Sequence, residues 1–363
     1  MNDNFSIQDN RELNYFKKQS FSGYKKKDIF NALSKSMETK KVENACNWIT
    51  ECLCSGYIEE SWNNLLLFAS EIVSINNPNL PNYLYKKNIL FYNIYNNIDK
   101  RYLYSILDLR NNQIIRNLFF SITTLLSISS KTKRYDKYPK LKDIDFNFEI
   151  IQKRLSATSN LLSNDFIHYN EPEELKIIMN EIYFHLKNKI GGYERCIYWT
   201  IWILEWEKRN IKAKNPWFID VRIVGVDDKY KSDLIWILWE LILLETKNRD
   251  SLIKKQINSL YELYKFEFNC RKRNKRLPYL LQSICFLTNP INNVSLISDK
   301  IVFIQSQCNN NQIFKLKKIH EKNDIVKDVL PKKEMNPKKV EKVEKQIDDE
   351  KLMNKLSIFN DLN

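Results

Sequence analysis

YERCIYWTIWILEWEKRN at residues 193–210 and SDLIWILWELILLETKNRD at 232–250 share one design. Each has an apolar centre containing IWIL, then a glutamate, then a basic end. Trp199, Trp202 and Trp206 fall at spacings of three and four, and Trp236 and Trp239 at three. That spacing puts them on the faces of helices that pack together. Each apolar run is about half the ~20 residues needed to cross a bilayer, and the second carries Glu240. Both therefore read as core helices of an all-α protein.

The same periodicity extends outward. DIFNALSKSM sets Ile29, Phe30, Leu33 and Met37 on one face. Thr39 is placed to cap a second helix over 41–55, with a stripe of Val42, Ala45, Cys46, Ile49, Cys52 and Leu53. Gly56 follows where a left-handed turn ends a helix. Helices are predicted at 58–75, 83–98, 112–129, 171–189, 193–210, 232–250, 251–269, 277–288 and 293–308. NPWFIDVRIVGVDDKYK (215–231) reads as a short extended segment. The architecture is thus an irregular multi-helix bundle or a short solenoid of helix pairs, about a dozen helices in all.

Composition excludes several activities. There are only 5 Gly in 363 residues, against roughly 25 at average usage. GxxxxGK[ST], GxGxxG and GxSxG are all absent. With 3 His, a His-built metal site or triad has little to draw on. The 7 Cys form no CxxC framework. Cys52 and Cys54 lie two apart on a helix and point about 200° away from each other. Reduced, mostly buried thiols in an intracellular protein follow. No cofactor and no metal are implied. Residues 1–20 lack the apolar core of a signal peptide.

Lys plus Arg is 58 against 44 Asp plus Glu, a net charge of +14. The tail from Lys315 holds 13 Lys and 10 acids, so +11 of the +14 belongs to residues 1–314. Such a body favours polyanionic partners, although AT-rich codon usage also enriches Lys, Asn, Ile and Tyr. The densest cluster is Arg271, Lys272, Arg273, Lys275 and Arg276, read as a connection between two helices that contacts phosphate. Lys131, Lys133 and Arg134 would extend it if they fold nearby. Residues 1–24 read as a flexible arm and 25–312 as the helical body, with an internal boundary near 131–143. Residues 313–363 read as a disordered charged tail ending in a short amphipathic helix. There Leu352, Leu356, Phe359 and Leu362 form a candidate partner-binding face. Asp220 with Arg222, near Trp217, marks the best place for a missed catalytic site. No membrane insertion is expected.

Two resemblances accompany these readings. Ala32-Leu33-Ser34-Lys35-Ser36, Ala45, Trp48, Gly56, Phe68–Ile72 and Asn77-Pro78 are similar to the helical region of clamp-loader-related recombination ATPases. The ATPase module has no counterpart, so no nucleotide chemistry is implied. KKDIFNALSKS, SGYIEESW, INNPNLPNYLY, DLRNNQIIRNLFFSITTLLS, EELKIIMNEIYFHL and LIWILWELILLE resemble uncharacterised helical proteins of giant DNA viruses. That resemblance implies a viral source, a helical fold, and a place in the host cytoplasm, viral factory or virion. The leading expectation is a non-enzymatic adaptor or scaffold near nucleic acid in replication, transcription or packaging. The alternatives are a structural virion protein and, third, an enzyme built on carboxylates.

Overall fold

The structure, a computed structural model, describes residues 5–97, 103–132, 138–188, 192–223, 225–291 and 312–322. Its helices are α1 (Lys26–Glu38), α2 (Val42–Cys54), α3 (Ile58–Phe68), α4 (Leu80–Asn96), α5 (Leu103–Asp108), α6 (Gln113–Ile128) and α7 (Phe148–Arg154). There follow α8 (Glu173–Lys187), α9 (Gly192–Lys212), α10 (Ile235–Thr246), α11 (Ser251–Lys265), α12 (Cys270–Lys275), α13 (Leu277–Thr288) and α14 (312–317). No strand occurs among the described residues, and the chain is an all-α, multi-helix protein. None of these helices is long and apolar enough to cross a membrane.

The chain divides into two compact units. The first holds residues 1–68, 89–129 and 297–363, and the second 69–88 and 130–296. One of the divisions, between 129 and 130, borders the expected boundary at 131–143.

In the first unit α2 is the central helix, packed against α1 and α6. Its sequence explains this: Ala45, Cys46, Trp48, Ile49, Cys52, Leu53 and Cys54 cover nearly its whole circumference, and all are buried. Burial pushes the Cys52 and Cys54 thiols up to about 12, which keeps them protonated and unreactive. Trp62, Phe91 and Phe119 form the aromatic centre, with ring centroids 4.8 to 5.8 Å apart. Gly56 ends α2 at φ +72°, and a Cβ there would lie 2.7 Å from Leu13 and 3.0 Å from Leu107. Glycine is therefore required both by the turn and by the packing. Thr39 does not cap α2. Its hydroxyl bonds back to the Lys35 carbonyl at the end of α1, because the chain needs Lys40 at φ +60° before α2 can start.

Both expected mobile ends need correction over their described parts. Ile7, Phe16, Phe21 and Tyr24 are buried, so residues 5–24 are a packed, irregular segment rather than a flexible arm. Periodicity cannot reveal such a segment, since its apolar residues follow no helical spacing. Residues 312–322, at the start of the expected tail, are also fixed. Phe314 is buried in α14, with the Arg116 guanidinium 3.5 Å above its ring. The two segments run alongside each other. Asn10 N–H donates to the Lys322 carbonyl at 3.0 Å, Lys322 N–H to Asp9 at 2.9 Å, and Gln8 N–H to Glu321 at 2.9 Å. Arg11 joins them by donating to Asp9, the Phe21 carbonyl and the His320 carbonyl.

Beneath this belt lies Glu51, fully buried on α2. Its Oε1 accepts from the Ser20 hydroxyl and Ser22 N–H, and its Oε2 from the Ser22 hydroxyl and Lys317. Burial would raise this carboxyl, but the Lys317 charge and the hydrogen bonds from Lys317, Ser20 and Ser22 outweigh it and hold the pKa lowered.

In the second unit α13 is buried along its whole length, and α8, α9 and α11 pack against it. The Trp236 and Trp239 rings meet Tyr261 and Tyr264 of α11. Trp199, Trp202, Trp236 and Trp239 are buried, as helical spacing predicts. Gly192 opens α9 because a Cβ there would lie 2.4 Å from the His185 carbonyl oxygen. The segment expected to be extended around 215–223 is irregular backbone.

Candidate anion-binding cleft

The five nominated cations between α11 and α13 do not form one exposed cluster. Four lie on a helix, α12, whose rotation sends them in different directions, and Arg276 is the residue that joins α12 to α13. Arg273 turns inward, with its Nη2 2.6 Å from Glu207 and its Nε 2.7 Å from Asp233. Arg276 is buried and donates to the carbonyls of Tyr264 and Phe266, capping the end of α11. Lys272 lies 3.2 Å from Glu267. That leaves Arg271 and Lys275 exposed and in no ion pair with a described residue. Lys131 is half-buried and engaged. Lys133, Arg134, Leu352, Leu356, Phe359 and Leu362 lie outside the described residues.

A concave site of mixed chemistry lies elsewhere in the second unit. It is a cleft of about 700 Å³ lined by Lys140, Asp145, Arg154, Glu194, Arg195, Tyr198 and Trp199. That volume is within the range of small-ligand sites, about 300–1,000 Å³. Three pieces of chain build it. Residues 138–142 lead into a 3₁₀ turn over Asp143–Phe146, α7 supplies Arg154 as its last residue, and α9 supplies its first two turns. Glu194, Arg195, Tyr198 and Trp199 share a face by i, i+3 and i, i+4 spacing.

The wall is held firmly. The Trp202 indole N–H donates to the Asp145 carbonyl at 2.8 Å, pinning the turn to α9. Phe146 stacks on Trp202 and Trp206 at 5.3 and 5.7 Å, with the Arg209 guanidinium 3.9 Å from its ring centroid. The Asp145 carboxylate accepts from Lys142 N–H at 2.7 Å and from Arg154 at 2.5 Å. The Lys142 backbone bond and the Arg154 pair together lower its pKa despite partial burial. Arg154 Nη1 also reaches the Tyr198 hydroxyl. Its Nε and Nη2 donate to no described residue. Lys140 and Arg195 are exposed and in no ion pair with a described residue, and Glu194 is the one acid of the lining without such a partner. Sequence reading missed this site because its cations lie 14 and 41 residues apart, at 140, 154 and 195. The Lys140 end was signalled by the basic 131–143 stretch.

The second suspected place, Asp220 with Arg222, is a clasp. Glu171 is buried, and its carboxylate accepts from the Asp220 and His168 N–H groups and from two nitrogens of Arg222. Arg222 Nη1 also meets Glu240 at 2.5 Å. His168 Nδ1 lies 2.9 Å from Asp220. His168, Glu171 and Asp220 bring ligand atoms within 4.8 Å of one another. However, Arg222 already stands where a cation would sit on Glu171, so the arrangement ties the 168–171 turn to the 220–222 segment.

No family model, curated protein or solved structure matches this chain.

Proposed function

We propose that this protein is a non-enzymatic adaptor or scaffold that works beside nucleic acid, and, from its sequence resemblance, in replication, transcription or packaging in a giant DNA virus. The observation that carries the reading is the set of exposed cations in the second unit, Lys140, Arg195, Arg271 and Lys275, none paired to a described acid. Surface cations without an acidic partner release counterions when they meet phosphate. Glu207, near the end of α9, is bound by Arg273 of α12, whereas Arg195 stands in the first turn of α9. Twelve residues at 1.5 Å put Glu207 roughly 18 Å along α9 from Arg195, so the two groups of cations are separate patches rather than one phosphate site.

A structural virion role is the second reading. It is favoured by apolar side chains left in solvent on the second unit, including Phe148 at 67% exposed and Ile144 and Phe218 at 60%.

The test is fluorescence anisotropy with labelled DNA and RNA across a salt series. Wild type is compared with a variant carrying Lys140→Gln, Arg195→Gln, Arg271→Gln and Lys275→Gln. The expected result is a steep salt slope that flattens in the variant. Absence of binding at low salt overturns the reading and turns attention to the exposed apolar side chains.

A further inference from the structure

The cleft beside α9 is more specific than a basic surface. Asp145 is already committed to Arg154 and to Lys142 N–H, so that pair contributes no net charge. What remains is Lys140 and Arg195 against Glu194, together with the two unused nitrogens of the Arg154 guanidinium. These donors can surround a phosphate or a phosphodiester. The wall between them is aromatic. Tyr198 is half-exposed, its hydroxyl fixed by Arg154, and Trp199 stands behind it. Tyr138, 43% exposed, and Phe148 flank the same stretch of chain. A duplex keeps its base faces stacked inside and offers only phosphates, sugars and base edges. A single strand turns its bases outward, where an aromatic face can stack on them.

We infer that this cleft holds one unit of a single-stranded nucleic acid, with its phosphate among Lys140, Arg154 and Arg195 and its base against Tyr198. The inference rests on the nucleic-acid reading above and names the form of nucleic acid. Trp202 and Asp145 hold the turn in place beforehand, so binding orders little of the protein.

The experiment uses the full chain and three probes: labelled oligothymidylate, a labelled duplex of equal length, and thymidine monophosphate as competitor. The variants are Lys140→Gln with Arg195→Gln, Tyr198→Leu, and Arg271→Gln with Lys275→Gln. Circular dichroism and unchanged thermal unfolding show that each is folded. Wild type is expected to prefer the single strand. The Lys140→Gln/Arg195→Gln variant should lose about 10-fold for the single strand, with a salt slope shallower by about 1.4. Tyr198→Leu should lose about 5- to 10-fold for the single strand and little for the duplex. Wild-type affinity for the single strand in both cleft variants overturns the cleft assignment, while loss in the α12 variant leaves the broader reading standing. Thymidine monophosphate binding as tightly as the strand overturns the strand assignment in favour of a free nucleotide. No binding of wild type to either nucleic acid overturns both.

Discussion

Each unit draws an ion pair out of solvent, almost completely at Glu51 with Lys317 and in large part at Arg273, and the two behave in opposite ways. In the first, Glu51 accepts four hydrogen bonds and meets one lysine, and its pKa falls below the ordinary 4.5. In the second, Arg273 is shared between Glu207 and Asp233. Burial raises both of those carboxyls, and Arg273 offsets it in part. Arg273 Nε stands 2.7 Å from Asp233 yet makes no aligned hydrogen bond. A nearby opposite charge is therefore not enough by itself. At Glu51 the Lys317 charge is the largest lowering influence, and the donors that point at the carboxylate add to it until burial is overcome. Glu51 has two hydroxyls and a backbone N–H besides its lysine. Glu207 has one aligned donor, from Arg273.

The largest effect expected from breaking this contrast is at Lys317. Lys317→Met strands a fully buried carboxylate and should cost about 3–5 kcal/mol in urea unfolding. A loss under about 1 kcal/mol would mean that the serines alone hold Glu51. Arg273→Met should cost less, about 2–3 kcal/mol near pH 8, because Glu207 and Asp233 can take up protons in its absence. That loss should shrink at pH 5, and a cost independent of pH would contradict the raised carboxyls. The third test is acid titration. A lowered native pKa contributes stability above the ordinary 4.5 that is lost as pH falls through the native value. Raised carboxyls act in the other sense: their contribution is greatest at low pH and fades as pH rises through their native values. Glu51→Gln should therefore flatten the acid limb of the stability curve, and an unchanged limb would assign it to Asp9 or Glu181, whose pKa values are also lowered. The smallest effect belongs to Lys140→Gln with Arg195→Gln. Exposed and unpaired, they should alter stability by less than about 0.5 kcal/mol. A larger change would give them a structural role.

Most helices could be read from spacing alone. Expected starts at 58, 193, 251 and 277 lie within a residue of the observed ones, because each helix buries a regular stripe and carries recognisable ends. Asn112 accepts from Ile114 and Ile115 N–H at the start of α6, and Gly56 stops α2. The short helices α5, α7 and α12 were not expected, since six or seven residues show too little periodicity to separate from a loop. For α12 this mattered. Read as a connection, the five cations all seemed available, whereas helical rotation carries Arg273 inward and Arg276 is buried where α12 joins α13. The belt of 5–24 and 312–322 was invisible for a different reason. Its stability comes from Arg11, Arg116, Lys317 and Asp9 meeting groups hundreds of residues away, and composition alone made those charges look solvated. The cleft was legible only at Lys140, because its remaining residues converge from three separate stretches of chain.

The belt also fixes an order of events during synthesis. The bond between Asp9 and Lys322 closes a loop of 313 residues. All of the second unit, from 69 to 296, lies within that interval. It is therefore synthesised whole before Lys317 exists to neutralise Glu51. Domains fold largely as units while the chain is being made, and distant pairings must wait for loop closure. Residues 5–24 are thus among the last to find their partners, and Glu51 gains the charge of Lys317 only once that late segment is made.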